Sequence, residues 1–126
     1  MHSKQTNAMN KNMILRLVDS SSKECEVTGR MMGGDDVYEI PVSLLVPGFV
    51  KWPQKGTPDH SVVVDAIGED FVQIKVRDVA GTYNPYTLHL GERATSRYEF
   101  GEWGYGYTVT LEEVSEEKMK SLVALC

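Results

Sequence analysis

The chain reads as mostly β: an antiparallel β-sandwich or partly open β-barrel of about 7–9 strands with a short C-terminal helix. Three observations predict this class. Apolar residues recur at period two in SVVVDAI at 61–67, FVQIKVRDV at 71–79 and YGYTVTL at 105–111. Clusters of Gly and Asp, such as GGDD at 33–36 and GED at 68–70, punctuate the chain between such stretches. Only the end, from Ser115 onward, changes to the three- and four-residue spacing of a helix.

The elements follow in order. Residues 1–12, MHSKQTNAMNKN, read as a disordered tail, since nothing before Met13 can anchor a core; residues 13–126 read as a single β domain. Met13, Leu15 and Leu17 alternate with Ile14, Arg16 and Val18 as a short first strand, and the polar run Asp19 to Lys23 reads as a turn. Val27, Gly29 and Met31 oppose Glu26, Thr28 and Arg30 in a second strand that Gly33-Gly34-Asp35-Asp36 would end in a turn. Val37 to Val42 reads as a strand, with Pro41 marking an edge or an early stop.

Residues 43–60 are broken by Pro47, Gly48, Pro53, Gly56 and Pro58, yet carry Leu44, Leu45, Val46, Phe49, Val50 and Trp52. That mixture predicts an ordered loop with a short strand or helical turn at 43–46, serving either as a functional loop or as a lid on the core. Gly68, Glu69 and Asp70 join 61–67 to 71–79 as a hairpin. Ala80 to Pro85 reads as a loop holding Tyr83; Tyr86, Leu88 and Leu90 form the next alternation, Arg97 to Phe100 another, and Tyr105 to Leu111 the last. Ser115 suits a helix N-cap, with Glu116 and Glu117 at the positive end of the dipole. Met119, Leu122, Val123 and Cys126 then give one apolar stripe on a helix at about 116–125, expected to pack on the sheet.

Charge and composition narrow the function. A formal charge of −5 over 126 residues, with Lys51, Lys55, Lys75, Arg77, Arg93 and Arg97 scattered among acids, argues against a nucleic-acid partner. An acidic surface favours solubility and basic partners. The two cysteines, Cys25 and Cys126, stand near opposite ends and read as free thiols, with Cys126 exposed. No apolar run reaches the roughly 18 residues of a membrane span and no secretory leader is evident, so no membrane partner is expected and the chain reads as cytoplasmic.

Chemistry-bearing patterns are sparse. His89 reads as a surface residue beside Glu92, and His60 as a loop residue where Asp59, His60 and Asp65 offer oxygen and nitrogen without metal-selective spacing, so no metal and no cofactor is expected. There is no G-x-S-x-G elbow and no phosphate-cradling loop; Gly33-Gly34 is followed by two aspartates. Glu99 and Glu102 flank an aromatic turn but sit too close in sequence for the facing pair that glycoside hydrolysis uses. The expectation is therefore a protein without a catalytic site.

The aromatics are the remaining signal. RYEFGEWGYGYTVTL at 97–111 gathers Tyr98, Phe100, Trp103, Tyr105 and Tyr107 around three glycines. Tyr107 shares strand parity with Val109 and Leu111 and belongs to the core, with Tyr105 on the same face. Trp103, between Gly101 and Gly104, reads as a turn residue, and Trp52 as a loop residue. With Tyr83, Tyr86 and Glu102 they make the candidate binding set, because Trp and Tyr bring large contact area at small entropic cost. The opposing reading has each tryptophan plugging one end of the core. The function expected from sequence is a small acidic, non-enzymatic interaction module, one that occupies a basic site on a protein partner. A carbohydrate or small-ligand binding domain is second, and a small hydrolase third.

Overall fold

The computed structural model describes residues 12–24, 31–100 and 103–126; of residues 21–24, 31, 32, 100 and 103 it describes the backbone alone. Eight strands run as β1 (Met13–Glu24), β2 (Met31–Pro41), β3 (Gly48–Phe49), β4 (Val62–Ile67), β5 (Phe71–Arg77), β6 (Tyr83–His89), β7 (Arg93–Phe100) and β8 (Trp103–Glu113), followed by helix α1 (Glu116–Val123). They form two antiparallel four-stranded sheets, ordered β2-β1-β8-β7 (the long sheet) and β3-β4-β5-β6 (the short sheet). The sheets face each other as a sandwich and do not close into a barrel.

The alternation builds this core directly. Met13, Leu15 and Leu17 of β1 lie beside Tyr38 and Ile40 of β2 and Val109 and Leu111 of β8, all buried on the inner face of the long sheet. Val62 and Val64 of β4, Val72, Ile74 and Val76 of β5 and Leu88 of β6 face them from the short sheet. Each such side chain contributes about 1.5–3 kcal/mol by leaving water. On the outer face of the long sheet, Arg16 reaches Glu39 at 3.4 Å and Lys118 of α1 reaches the same Glu39 at 2.7 Å. Ile14 and Leu122 are buried without joining the inter-sheet core. The helix thus sits against that outer face, as its stripe predicts, but narrowly: Leu122 is buried, whereas Val123 and Cys126 are exposed. Ser115 does cap it, accepting from the Lys118 N–H at 3.1 Å.

Several expectations hold and several are corrected. The hairpin at 61–79 is β4–β5, and β2 is an edge strand ending at Pro41. A 3-10 turn at Val42–Leu44 overlaps the segment 43–46, starting one residue earlier. The polar run Asp19 to Lys23 is not a turn: β1 continues through it, because β2 and β8 pair with it on both sides and satisfy its backbone. Gly33-Gly34-Asp35-Asp36 likewise lies inside β2, with Gly33 at φ 104° where a side chain would strain. Pro85 lies within edge strand β6, which starts at Tyr83 where the sequence pattern predicts a loop. Trp103 is the first residue of β8, paired with Phe100 and Lys23, and so belongs to a strand where the pattern predicts a turn. The tail 1–11, the stretch 25–30 with Cys25, and Gly101-Glu102 lie outside the described residues. Asn12 does not belong to a loose tail; its carbonyl accepts from the Val114 N–H at 2.7 Å.

Candidate functional site

The long sheet outruns the short one. Its inward rows run to Asp36, Asp19, Tyr107 and Ser96, where the short sheet ends, and the strand register then continues to Gly34, Ser21, Tyr105 and Tyr98 and on to Trp103 and Phe100. The overhang is about four residues, roughly 13 Å of strand. Beneath it, Tyr98 and Tyr105 are directly paired across β7 and β8, and with Val79 and Ala80 from the β5–β6 turn they line an open cleft of about 350 Å³. Tyr98 is 48% exposed and Tyr105 half-buried. The turn that supplies the opposite wall is held rigidly: Asp78 accepts from the Ala80 and Thr82 N–H groups at 3.0 and 2.9 Å and from Asn84 Nδ2 at 3.0 Å. Those bonds, the Asn84 one foremost, lower the Asp78 pKa.

Directly inward of the cleft lies a buried polar cluster that the sequence reading did not foresee. His60, read as a solvent-facing loop residue, is only 3% exposed, and Asp19, read as part of a turn, is 6% exposed. The imidazole Nδ1 is 3.0 Å from the Arg77 carbonyl. A carbonyl can only accept, so Nδ1 carries a proton. The other nitrogen, Nε2, faces Asp19 Oδ1 at 3.4 Å, and neither atom has another hydrogen-bond partner among the described residues. Two bare acceptors would repel there, so one further proton belongs to the pair, on Nε2 or on Oδ1. The second Asp19 oxygen accepts from the Asp59 N–H at 2.7 Å. Burial raises the Asp19 pKa above the usual carboxylate value, outweighing the Asp59 bond and the attraction of His60.

Tyr107 packs against this pair, its ring tilted 59° to that of His60 with centroids 5.2 Å apart, and its hydroxyl meets that of Tyr86 at 2.7 Å. Burial first, then the Tyr86 bond, push the Tyr107 hydroxyl well above the ordinary phenol range. The Tyr38 hydroxyl is raised as well, by burial and by the carboxylates of Asp36, Asp19 and Asp59. The arrangement resembles an acid–base couple in its groups but not in its access, since both members are enclosed between the sheets. The available signal was parity: Asp19 continues the inward positions Met13, Leu15 and Leu17.

The sequence-derived binding set divides in space. Tyr86 belongs to the buried cluster. Trp52 is half-buried against the core, 6.0 Å from Tyr38 on the opposite edge strand of the long sheet from β7. Tyr83 is 38% exposed and meets Phe49 edge-on at 6.5 Å. Glu102 lies outside the described residues, and for Trp103 the backbone register alone is described, two positions along β8 from Tyr105. The loop at 43–60 does two things at once: Leu45, Val50 and Trp52 turn down on the core, while Val46 and Phe49 stand 66% and 63% exposed beside a shallow apolar pocket of about 150 Å³. Among the described residues no group of three or more His, Cys, Asp or Glu side chains is arranged to hold a metal ion, and no helix is long and apolar enough to cross a membrane. Compared with protein-family models, curated proteins and solved structures, the chain matches none of them.

Proposed function

We propose that the protein is a non-enzymatic interaction module whose partner docks at the tyrosine-lined cleft under the overhang of the long sheet. The observation that carries this reading is the cleft itself: about 350 Å³, bounded by Tyr98, Tyr105, Val79 and Ala80, with a fixed turn as one wall. Preformed apolar concavities with aromatic walls are where binding energy concentrates, because little ordering cost remains at the moment of contact. The net charge of −5 suits a partner whose contact surface is basic around an apolar anchor. Among the described residues the acid–base pair Asp19–His60 has no open face toward a substrate, which weighs against the hydrolase reading.

A carbohydrate or small apolar ligand is the second reading, favoured by the tyrosines, whose ring faces suit sugar stacking. Substituting Tyr98→Ala and Tyr105→Ala separates the two. Under the leading reading, each variant stays folded and loses capture of a protein partner, and that capture weakens with salt because basic groups contribute. Under the second, amide shifts at Val79, Ala80 and Tyr105 respond to a glycan or small-molecule panel. Capture that survives both substitutions refutes the cleft as the docking site.

A further inference from the structure

A sheet edge left open is a template for another strand, and proteins ordinarily blunt such edges. Among the described residues the edge strands are β2, β7, β3 and β6. β2 carries Pro41, Gly33 at φ 104° and the exposed Asp35-Asp36. β3 is 2 residues long, and β6 holds Pro85 in its middle, where the missing N–H breaks any outward ladder. β7, RATSRYEF, has neither proline nor glycine over its 8 residues. Its charges are the remaining defence, and their order matters.

The Leu111 N–H donates to the Glu92 carbonyl at 3.3 Å. With Ala94 opposite Val109 in register, alternation turns the backbone groups of Ala94, Ser96 and Tyr98 toward β8. Those of Arg93, Thr95, Arg97 and Glu99 turn to the side away from β8. A second copy of this chain, related by a two-fold axis, can then pair β7 with β7 only in registers that set these outward residues against each other. Two such registers pair seven consecutive residues, by the geometry of an 8-residue strand. One centres on Arg97 and sets that guanidinium against its own copy. The other centres on Ser96 and sets Arg93 against Glu99 of the second copy, and Glu99 against Arg93 of the second copy, with Ala94 across from Tyr98.

We propose that the protein self-associates through β7 in the Ser96-centred register, joining two long sheets into one continuous antiparallel sheet. Arg93 and Glu99 form the symmetric ion pairs that select the register; Glu99 exchanges its long 3.9 Å contact with Arg97 for them. Both side chains are exposed in the single chain, with Glu99 77% open, so the pairing needs no unfolding. The inference is independent of what binds the cleft, though a two-fold axis at Ser96 brings the two clefts to the same face of the joined sheet.

Sedimentation and light scattering of the full chain at sub-millimolar concentration test this. Wild type is expected to dimerise, and Arg93→Glu or Glu99→Arg alone to weaken the dimer on the order of tenfold, by facing like charges across the axis. Mixing the two single variants restores pairing, because every facing charge is then opposite, and the double variant restores it alone. Thr95→Pro, which removes an outward N–H from an edge strand, abolishes it, with circular dichroism reporting retained fold. A wild type that stays monomeric, a dimer indifferent to both reversals, or a mixture that does not pair overturns the proposal.

Discussion

Replacing His60 with alanine removes a ring that touches Arg77 on the short sheet and both Asp19 and Tyr107 on the long one. It strands Asp19 Oδ1 in the interior with no counter-group, a change that in buried pairs costs about 3–5 kcal/mol. The Asp59 N–H stays on the other oxygen at 2.7 Å, which places the electrostatic loss near the low end, about 3 kcal/mol. The void left against Tyr107 adds about 1 kcal/mol, for a total of about 4. Asp19→Asn keeps an oxygen for the Asp59 N–H and offers an amide donor to Nε2, so it costs within about 1 kcal/mol. The two variants also part in their pH dependence. Asp19 has a raised pKa in the folded state, so the proton it binds stabilises the fold below the ordinary carboxylate value of 3.8, and that stability is lost as pH rises through the folded value. The asparagine variant has no such loss. Its stability relative to wild type therefore climbs as pH rises from about 4 toward neutrality. Urea melts of wild type and both variants at several pH values read all of this. If His60→Ala costs less than about 1 kcal/mol, or Asp19→Asn costs as much as His60→Ala, the contact between His60 and Asp19 does not tie the two sheets together.

Other outcomes follow from the same geometry. A Cβ at Gly106 would lie 2.5 Å from the Ser96 carbonyl oxygen, so Gly106→Ala should cost about 1–3 kcal/mol in denaturant melts, whereas Gly34→Ala, with nothing within 4 Å, should be tolerated. Asp78→Ala should speed amide exchange at Ala80 and Thr82 and loosen the cleft wall. Because its pKa is lowered, what Asp78 contributes is present at neutral pH and fades as pH falls below the ordinary carboxylate range, so variant and wild type should converge in acid. Ser115→Ala should cost about 1 kcal/mol through the lost cap, visible as earlier melting of helix signal.

The elements legible in the sequence are those whose signals are local. The β4–β5 hairpin is written in GED between two alternating runs, and α1 in Ser115 and its acidic first turn. Asp19 to Lys23 and Gly33 to Asp36 misled for one shared reason. Polar and glycine residues at those positions favour turns in isolation, but long-range pairing outweighs local preference: Asp19 to Lys23 lie on β1 between β2 and β8, and Gly33 to Asp36 lie on β2 along β1. That pairing joins residues near the start of the chain to residues near its end, as Met13 opposite Glu113, which no local window displays. The candidate site was half legible for the same reason. The aromatic run at 97–111 drew attention to the right stretch of chain, but parity assigned Tyr105 to the core and neither Tyr98 nor Tyr105 entered the binding set, while Val79 and Ala80 became walls only because one sheet outran the other. His60 and Asp19 are far apart in sequence, and only the parity of Asp19 with Leu17 hinted that a carboxylate pointed inward.

That carboxylate explains how two sheets of unequal length come to a defined alignment. Hydrophobic contact is non-directional, so Val62, Val72 and Leu15 would accept small sliding of one sheet over the other at little cost. The polar contacts at the end of the core do not. His60 to Asp19, the Asp59 N–H to Asp19, and Tyr86 to Tyr107 all run from the short sheet or its flanking loop to the long sheet. A slide by even one pleat would leave each of these groups buried without a partner, at about 1–3 kcal/mol for every neutral group stranded. The overhang, and with it the cleft under Tyr98 and Tyr105, therefore keeps its depth because the row just behind it is polar. A variant in which Asp19, His60 and Tyr107 are all replaced by apolar residues of similar volume should retain the fold while broadening the resonances of Val79, Ala80 and Tyr105, whereas sharp, unshifted signals there would mean that apolar packing alone sets the alignment.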